Sequence, residues 1–217
     1  MAAPPAYTVE AYSARFARKL ALPPGRCARA LDLGCGSGHD LAMLQAHADR
    51  VVAMDVDAGA TRKARREGVD VVRADARHLP FREGAFGLVF EKDVLHHVGE
   101  ARLGDGPDLP GVAAALAEMR RVLRPGGHAV LVEANRFNPF FYLHMTRALG
   151  HEHFTRAQFE RLVREAFPGT RLRQFDSHYY PARTRLATRA LHALEAAFEL
   201  PVLRALAGYN VAVGRRE

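Results

Sequence analysis

The sequence predicts an α/β fold, a doubly wound and mostly parallel sheet with helices on both faces, on three observations. Short apolar runs alternate with segments of helical spacing. The connections between them are short. The apolar runs are near-continuous rather than alternating, as expected of strands buried on both faces. At 217 residues and 48% hydrophobic, the chain is long enough for one domain with a full core and a cap.

Taken in order, Ala11 to Leu20 reads as an amphipathic helix ended by Pro23-Pro24-Gly25. Arg29 to Leu33 is a strand that runs into Gly34-Cys35-Gly36-Ser37-Gly38, and His39 to Ala48 has helical spacing through Leu41, Leu44 and Ala48. Arg50 to Met54 is a second strand ending at Asp55. Thr61 to Glu67 is a basic helix closed by Gly68. Val69 to Arg73 is a third strand, ending near Asp75, and Phe86 to Phe90 a fourth. Val112 to Leu123 is a helix stopped by Arg124-Pro125-Gly126-Gly127, before a fifth strand over His128 to Glu133. Asn135 to His153 is long and aromatic (Phe137, Phe140, Phe141, Tyr142), with Pro139 inside it. Thr155 opens a helix to Phe167, with Gln158 three residues on. A sixth strand covers Arg171 to Phe175. A helix over Thr184 to Phe198 carries Leu191, Leu194 and Phe198 at helical spacing, Pro201 opens a further helix, and Tyr209 to Val213 is the last strand.

Composition narrows the function classes. The net charge is +7, but the basic residues are spread along the chain rather than gathered in a nucleic-acid-binding block. The densest group, Thr61 to Glu67, reads as the solvated face of a helix. No apolar run is long enough to span a bilayer, and Met1 to Glu10 lacks the pattern of a secretory signal. Cys27 and Cys35 form no disulfide framework and no C-x-x-C pair, which suits a reducing cytoplasm. His151-Glu152-His153 invites a metal reading, but no third ligand stands at metal spacing, so no metal is expected.

The chemistry centres on Leu31-Asp32-Leu33-Gly34-Cys35-Gly36-Ser37-Gly38. Glycines after a buried strand allow a tight turn and close approach of a ligand to the backbone. The next helix would aim free N–H groups at that ligand. The dinucleotide fingerprint would want Gly or Ala where His39 stands, which disfavours a nicotinamide oxidoreductase. The absence of a following Gly-Lys-Ser/Thr disfavours a nucleoside triphosphate. Asp55 ends the second strand about 20 residues on, the offset at which a carboxylate grips ribose hydroxyls. Asp75 follows the third strand; it either accepts an adenine amino hydrogen, with the Ala76 N–H donating to the ring, or caps its own turn. All three sites sit at strand ends on one rim of the sheet.

These motifs resemble those of the class I (Rossmann-like) S-adenosylmethionine-dependent methyltransferases of the small-molecule type, such as those of ubiquinone and menaquinone biosynthesis. Asp32 to Gly38 is similar to their first motif, Asp55 to their second acidic residue, and Ala74-Asp75-Ala76 followed by Leu79-Pro80-Phe81 to their adenine motif. Phe86 to Phe90 with Asp93-Val94-Leu95-His96-His97, and Leu123 to Gly127, resemble their fourth strand and the turn before their fifth. Gly87 departs from the aspartate usual there and puts local strand packing in question. The resemblance covers Ala11 to Glu133 in detail and the rest in outline.

The resemblance implies a seven-stranded sheet with an antiparallel last strand and a small helical lid. It implies one methyltransferase domain over 1–217: a cofactor-binding core over 1–133, lid or cap insertions within 134–208, and the final strand in 209–217. S-adenosylmethionine is the implied cofactor. Asp32 would belong to the cofactor site, Gly34 and Gly36 would line the cofactor's methionine part, Asp55 its ribose and Val56 its adenine. Asp75 and Ala76 would read the adenine edge, and the backbone near Glu91 would accept from its amino group. Tyr12 would either reach its carboxylate or simply pack.

An in-line nucleophile needs positioning, and a hydroxyl nucleophile also needs a base. His96, His97 and Glu133, close to the expected methyl position, are the candidates; for each histidine a packing or capping role competes. The expected function is methyl transfer to a small hydrophobic acceptor, a natural product, quinone or lipid-like molecule. The aromatic stretch and Leu186, Leu191, Leu194 and Phe198 would build its pocket. The alternatives are an RNA or protein methyltransferase, or a non-catalytic protein that binds the cofactor. Expected partners are the acceptor alone, with no nucleic acid and no integral membrane association. A basic amphipathic cap allows peripheral membrane contact, and the chain would be a monomer or homodimer.

Overall fold

The computed structural model describes residues 8–20, 22–65, 68–100, 105–178 and 182–217. Seven strands form one sheet: β1 (Cys27–Leu33), β2 (Ala48–Asp55), β3 (Asp70–Arg73), β4 (Phe86–Lys92), β5 (Leu123–Ala134), β6 (Arg171–Phe175) and β7 (Tyr209–Arg215). Their order is β3-β2-β1-β4-β5-β7-β6. β3, β2, β1, β4 and β5 pair in parallel, and β7 runs antiparallel to both its neighbours, β5 and β6. The predicted fold class holds in each of these respects.

Strand residues alternate between two cores, as the pleat requires. Leu31, Leu33, Val52, Met54, Val89 and Leu131 face α4 (Leu109–Val122) and α6 (Arg156–Ala166). Ala30, Val51, Ala53, Leu88, Phe90 and Val132 face α1 (Val9–Leu20) and α2 (Leu41–His47), with α3 (Ala58–Ala64) beside them. The central strands are mostly apolar because both faces are covered.

Element boundaries move by a few residues from the sequence reading. The largest shift is in β5, where Arg124 to Gly127 joins the ladder instead of standing as a turn. Gly126 N donates to Arg216 O and Arg216 N to Gly127 O, so the end of the chain pairs with it. Thr155 caps α6 as expected, with Gln158 closing the reciprocal bond in a full capping box. Pro201 begins turns that lead to a short 3-10 helix, Arg204–Leu206, rather than a full helix. The family-like aspartate has no room at Gly87. A Cβ there would lie 2.7 Å from the Cys27 Cβ, and Arg124 crowds the same space.

Beyond β5, α5 (Pro139–Phe141) continues as a π turn, Tyr142–Ala148, and α7 (Arg185–Phe198) crosses above α1. Arg15 donates to Glu195 at 2.6 Å and Lys19 to Glu199 at 2.6 Å, tying α1 to α7. Leu191, Leu194 and Phe198 line a small crevice with Phe140, but Leu186 is 78% exposed and takes no part in it. Five residues, about 1.4 turns of helix, separate Leu186 from Leu191, so Leu186 lies about 140° round the axis and off the packed face. Among the described residues, no helix is long and apolar enough to cross a membrane.

Candidate active site

The glycine turn after β1 is held by its neighbour strand. Gly34 N and Cys35 N both donate to Met54 O, at 2.7 and 2.9 Å. Gly34 has φ +75°, and a Cβ there would collide with Val94. Gly36 has φ +49° and borders a cavity of about 620 Å³, where a Cβ would meet nothing within 4 Å. The backbone at Gly36 is therefore open to a ligand in a way that any side chain would obstruct. Asp55 locks this turn: Oδ2 accepts from Gly36 N at 2.9 Å and Oδ1 from Asp57 N at 2.9 Å. Each oxygen keeps a further lone pair for a hydroxyl.

The cavity runs along the carboxyl ends of β1 to β4. Gly34, Gly36, Asp55, Val56, Asp75 and Ala76 all border it, so the fold brings six of the nine expected cofactor residues together. Val56 is exposed, an apolar surface at the mouth. Asp75 caps its own loop: Oδ1 accepts from Arg77 N, and both oxygens accept from the Arg77 guanidinium, whose hydrogen bonds hold the carboxyl below its ordinary range.

The other three expected residues lie outside the cavity wall. Asp32 is buried beneath the turn, Oδ2 has no hydrogen-bond partner, and burial pushes its pKa up to about 8. Glu91 is fully buried and accepts from Val132 N at 3.0 Å; the wall is made instead by the next residues, Lys92, Asp93 and Val94. A strand's side chains alternate between faces, and Glu91 is turned into the protein. Tyr12 packs on Phe16, with its hydroxyl 3.4 Å from that of Tyr209. His39 is exposed in the turn before α2, so it makes no close helix–strand contact, and its size there does not itself disfavour a dinucleotide.

Sequence reasoning gave no role to Lys92 or Asp93. Lys92 Nζ lies 3.2 Å from Asp40 Oδ2 and 4.4 Å from the Phe16 ring centre, at the cavity wall. Asp93 has φ +55°, the only positive φ of a non-glycine among the described residues. Strain of this kind gathers at functional sites. Its Oδ1 accepts from Ala134 N at 3.1 Å, and burial together with the nearby Glu133 pushes its pKa up to about 6. Charged residues closing an otherwise apolar strand, Glu91-Lys92-Asp93, were the available signal.

The three base candidates divide. Glu133 is fully buried and accepts from Leu95 N at 2.7 Å, Val94 N at 3.2 Å and His96 Nδ1 at 2.7 Å. Burial pushes Glu133 up to about 8 and His96 down to about 4, because it disfavours charge on either group. The pair's work is to hold the 3-10 turn Leu95–His97. The absence of an exposed oxygen argues against Glu133 as a base for a bound acceptor. His97 borders the large cavity, its Nδ1 2.8 Å from Glu100 Oε2.

His96 and His97 meet His151 and His153, which the chain brings in from more than 50 residues away. The fold thus sets two further histidines beside the His151–His153 loop that its own sequence does not supply. These four histidines, with Phe141 and Met145, line a second cavity of about 130 Å³ that shares Asp93 and His97 with the first. Part of the Asn135 to His153 segment therefore does lie over the ends of β4 and β5.

Comparison with known proteins agrees with this geometry. Residues 31–131 match the family model described as a methyltransferase domain. A demethylmenaquinone methyltransferase of Clavibacter sepedonicus is 36% identical over 124 residues, covering 55% of this chain and 46% of that protein. The chain spans about half or less of the length of the curated relatives it matches. A S-adenosylmethionine-dependent methyltransferase from Archaeoglobus fulgidus superposes with a TM-score of 0.68 at 14% identity, over 96% of this chain and 94% of that one. The N-methyltransferase NodS from Bradyrhizobium japonicum, solved with S-adenosyl-L-homocysteine, superposes with a TM-score of 0.63 at 19% identity, over 93% and 84%. Residues 31–131 thus match a methyltransferase domain, and the whole chain has the fold of the class I S-adenosylmethionine-dependent methyltransferases.

Proposed function

We propose that the protein transfers a methyl group from S-adenosylmethionine to a small hydrophobic acceptor in the cytoplasm. The observation that carries this reading is the cavity of about 620 Å³ bounded together by the open Gly36 turn, the Asp55 carboxylate and the Asp75–Ala76 loop. It is concave, of a size typical of small-molecule sites, and set at the carboxyl ends of the parallel strands.

In this reading Asp55 accepts the two ribose hydroxyls while keeping its bonds to the Gly36 and Asp57 amides. Val56 covers the adenine face, and Asp75 and Ala76 meet the adenine edge. Gly34 and Gly36 leave the backbone bare for the amino-acid part, and Lys92 offers a cation to its carboxylate in place of Tyr12. The bound sulfonium supplies the electrophilic methyl group. The acceptor lies at the junction of the two cavities, where Phe141 and Met145 provide apolar wall and exclude water. Asp93 borders both cavities and serves as proton acceptor for a hydroxyl nucleophile, with a pKa raised toward the working range. His96 and Glu133 act as positioning residues, holding the turn that follows Asp93. Two free cysteines suit the reducing compartment. An acceptor of quinone or lipid-like class is supported by the matched demethylmenaquinone methyltransferase. The segment over 134–208 would belong to the same domain as its cap.

Calorimetry with S-adenosylmethionine, S-adenosylhomocysteine and NAD tests this directly. Both sulfur compounds should bind at one site per chain and NAD should not. Asp55→Ala should weaken that binding at least tenfold in a variant that still unfolds cooperatively. Binding of NAD alone, or equal affinity in the variant, would remove the reading.

A further inference from the structure

Four imidazoles converge on the cavity of about 130 Å³ where the turn after β4 meets the loop before α6. One ligand nitrogen each from His96, His97 and His151 lie within 4.8 Å of one another. The His96 and His97 rings are 4.0 Å apart, and the His97 and His151 rings 5.4 Å. His153 stacks beside His96, ring centres 4.4 Å apart.

Two features go beyond mere proximity. First, the Nδ1 atoms of His96 and His97 already face carboxylates, Glu133 at 2.7 Å and Glu100 at 2.8 Å. A carboxylate behind one ring nitrogen, with the other nitrogen turned to an ion, is the arrangement that orients metal-bound histidines. Second, His151 Nδ1 and both ring nitrogens of His153 are buried without a hydrogen-bond partner. Each such group is costly if nothing meets it, and all three belong to histidines lining one small cavity beside Phe141 and Met145.

We propose that His96, His97 and His151 form a site for a first-row divalent transition metal of the zinc type, with Glu133 and Glu100 as the outer carboxylates. Three neutral nitrogens and no thiolate select zinc and its neighbours over magnesium or calcium. Three protein ligands leave a fourth position open toward the cavity, the pattern of a metal that meets a ligand rather than one closed off for structure alone. The ion would also join two segments more than 50 residues apart, so its binding should register as stability. The inference stands independently of the acceptor and of methyl transfer.

The test uses the full chain without a polyhistidine tag, stripped with EDTA and dialysed. Titration with CoCl2 should saturate at one equivalent with the visible bands of four-coordinate cobalt, and ZnCl2 should displace them and raise the Tm. His97→Ala and His151→Ala should each weaken cobalt binding at least tenfold, whereas His47→Ala, on α2, should leave it unchanged. His97 is part-exposed, so its variant is suited to folding normally if His151→Ala does not. Absence of saturable cobalt and zinc binding would overturn the site. Unchanged titrations in both histidine variants would do the same.

Discussion

Asp93 carries the conflict between backbone and function most plainly. Its left-handed backbone is expensive for any residue with a Cβ, by about 1–2 kcal/mol, but least so for Asp and Asn, whose short polar chains bond locally. Here the side chain repays part of that by accepting from Ala134 N. Asp93→Ala should therefore destabilise the protein by about 1–2 kcal/mol in urea unfolding, while Asp93→Asn, which keeps the acceptor oxygen, should stay near the native value. Both should depress methyl transfer by roughly 10²–10⁴-fold if the carboxylate takes the proton. Equal stability of the two variants would show that the backbone conformation is unstrained. Asp55 and Gly36 could be read from sequence because their roles follow from position at a strand's end. The Asp93 conformation could not, since nothing in a single aspartate announces a positive φ.

At the scale of elements, the lid depends on ion pairing with the body. Glu195 is 3% exposed and accepts from Arg15 at 2.6 Å, from His178 N at 2.8 Å and, at 3.5 Å, from Lys19. It is the one fully buried residue of α7 among those described, so the helix is anchored by a charge rather than by a broad apolar face. Removing one partner from a buried pair typically costs about 3–5 kcal/mol; because Arg15 keeps partial access to water, Glu195→Ala should cost about 2–3 kcal/mol, read from the urea midpoint. Faster proteolysis within 182–200 should accompany it. A loss below about 0.5 kcal/mol would mean that apolar packing alone holds the lid. The helix itself was legible from the spacing of Leu191, Leu194 and Phe198. Its anchor was not, because Arg15 and Glu195 are 180 residues apart.

For the whole molecule, buried acids set the response to pH. Asp32 has a higher pKa folded, about 8, than the ordinary 3.8, because burial and the nearby Asp40 disfavour its charge. The stability it contributes is therefore complete below pH 3.8 and is lost as pH climbs toward 8. Glu91, also raised, acts in the same direction. His96 and His153, lowered to about 4 and about 3, act oppositely, and their stability is lost as pH falls below 6.5. Asp32→Asn should thus gain on the native protein steadily from pH 4 to pH 8, measured as the difference in unfolding free energy. A difference that stays flat would show that Asp32 ionises normally in the fold.

The sequence by itself determined the strand and helix order, the rim on which the site lies, and the glycines and carboxylates that border the large cavity. Each of these follows from local periodicity, turn chemistry and position at a strand's end, which need no knowledge of distant partners. Only the tertiary structure decided that Glu91 and Glu133 are buried and that four histidines from two segments share one cavity. Such facts depend on contacts between residues far apart in the chain, and a pattern with a period of two or 3.6 residues carries no information about them.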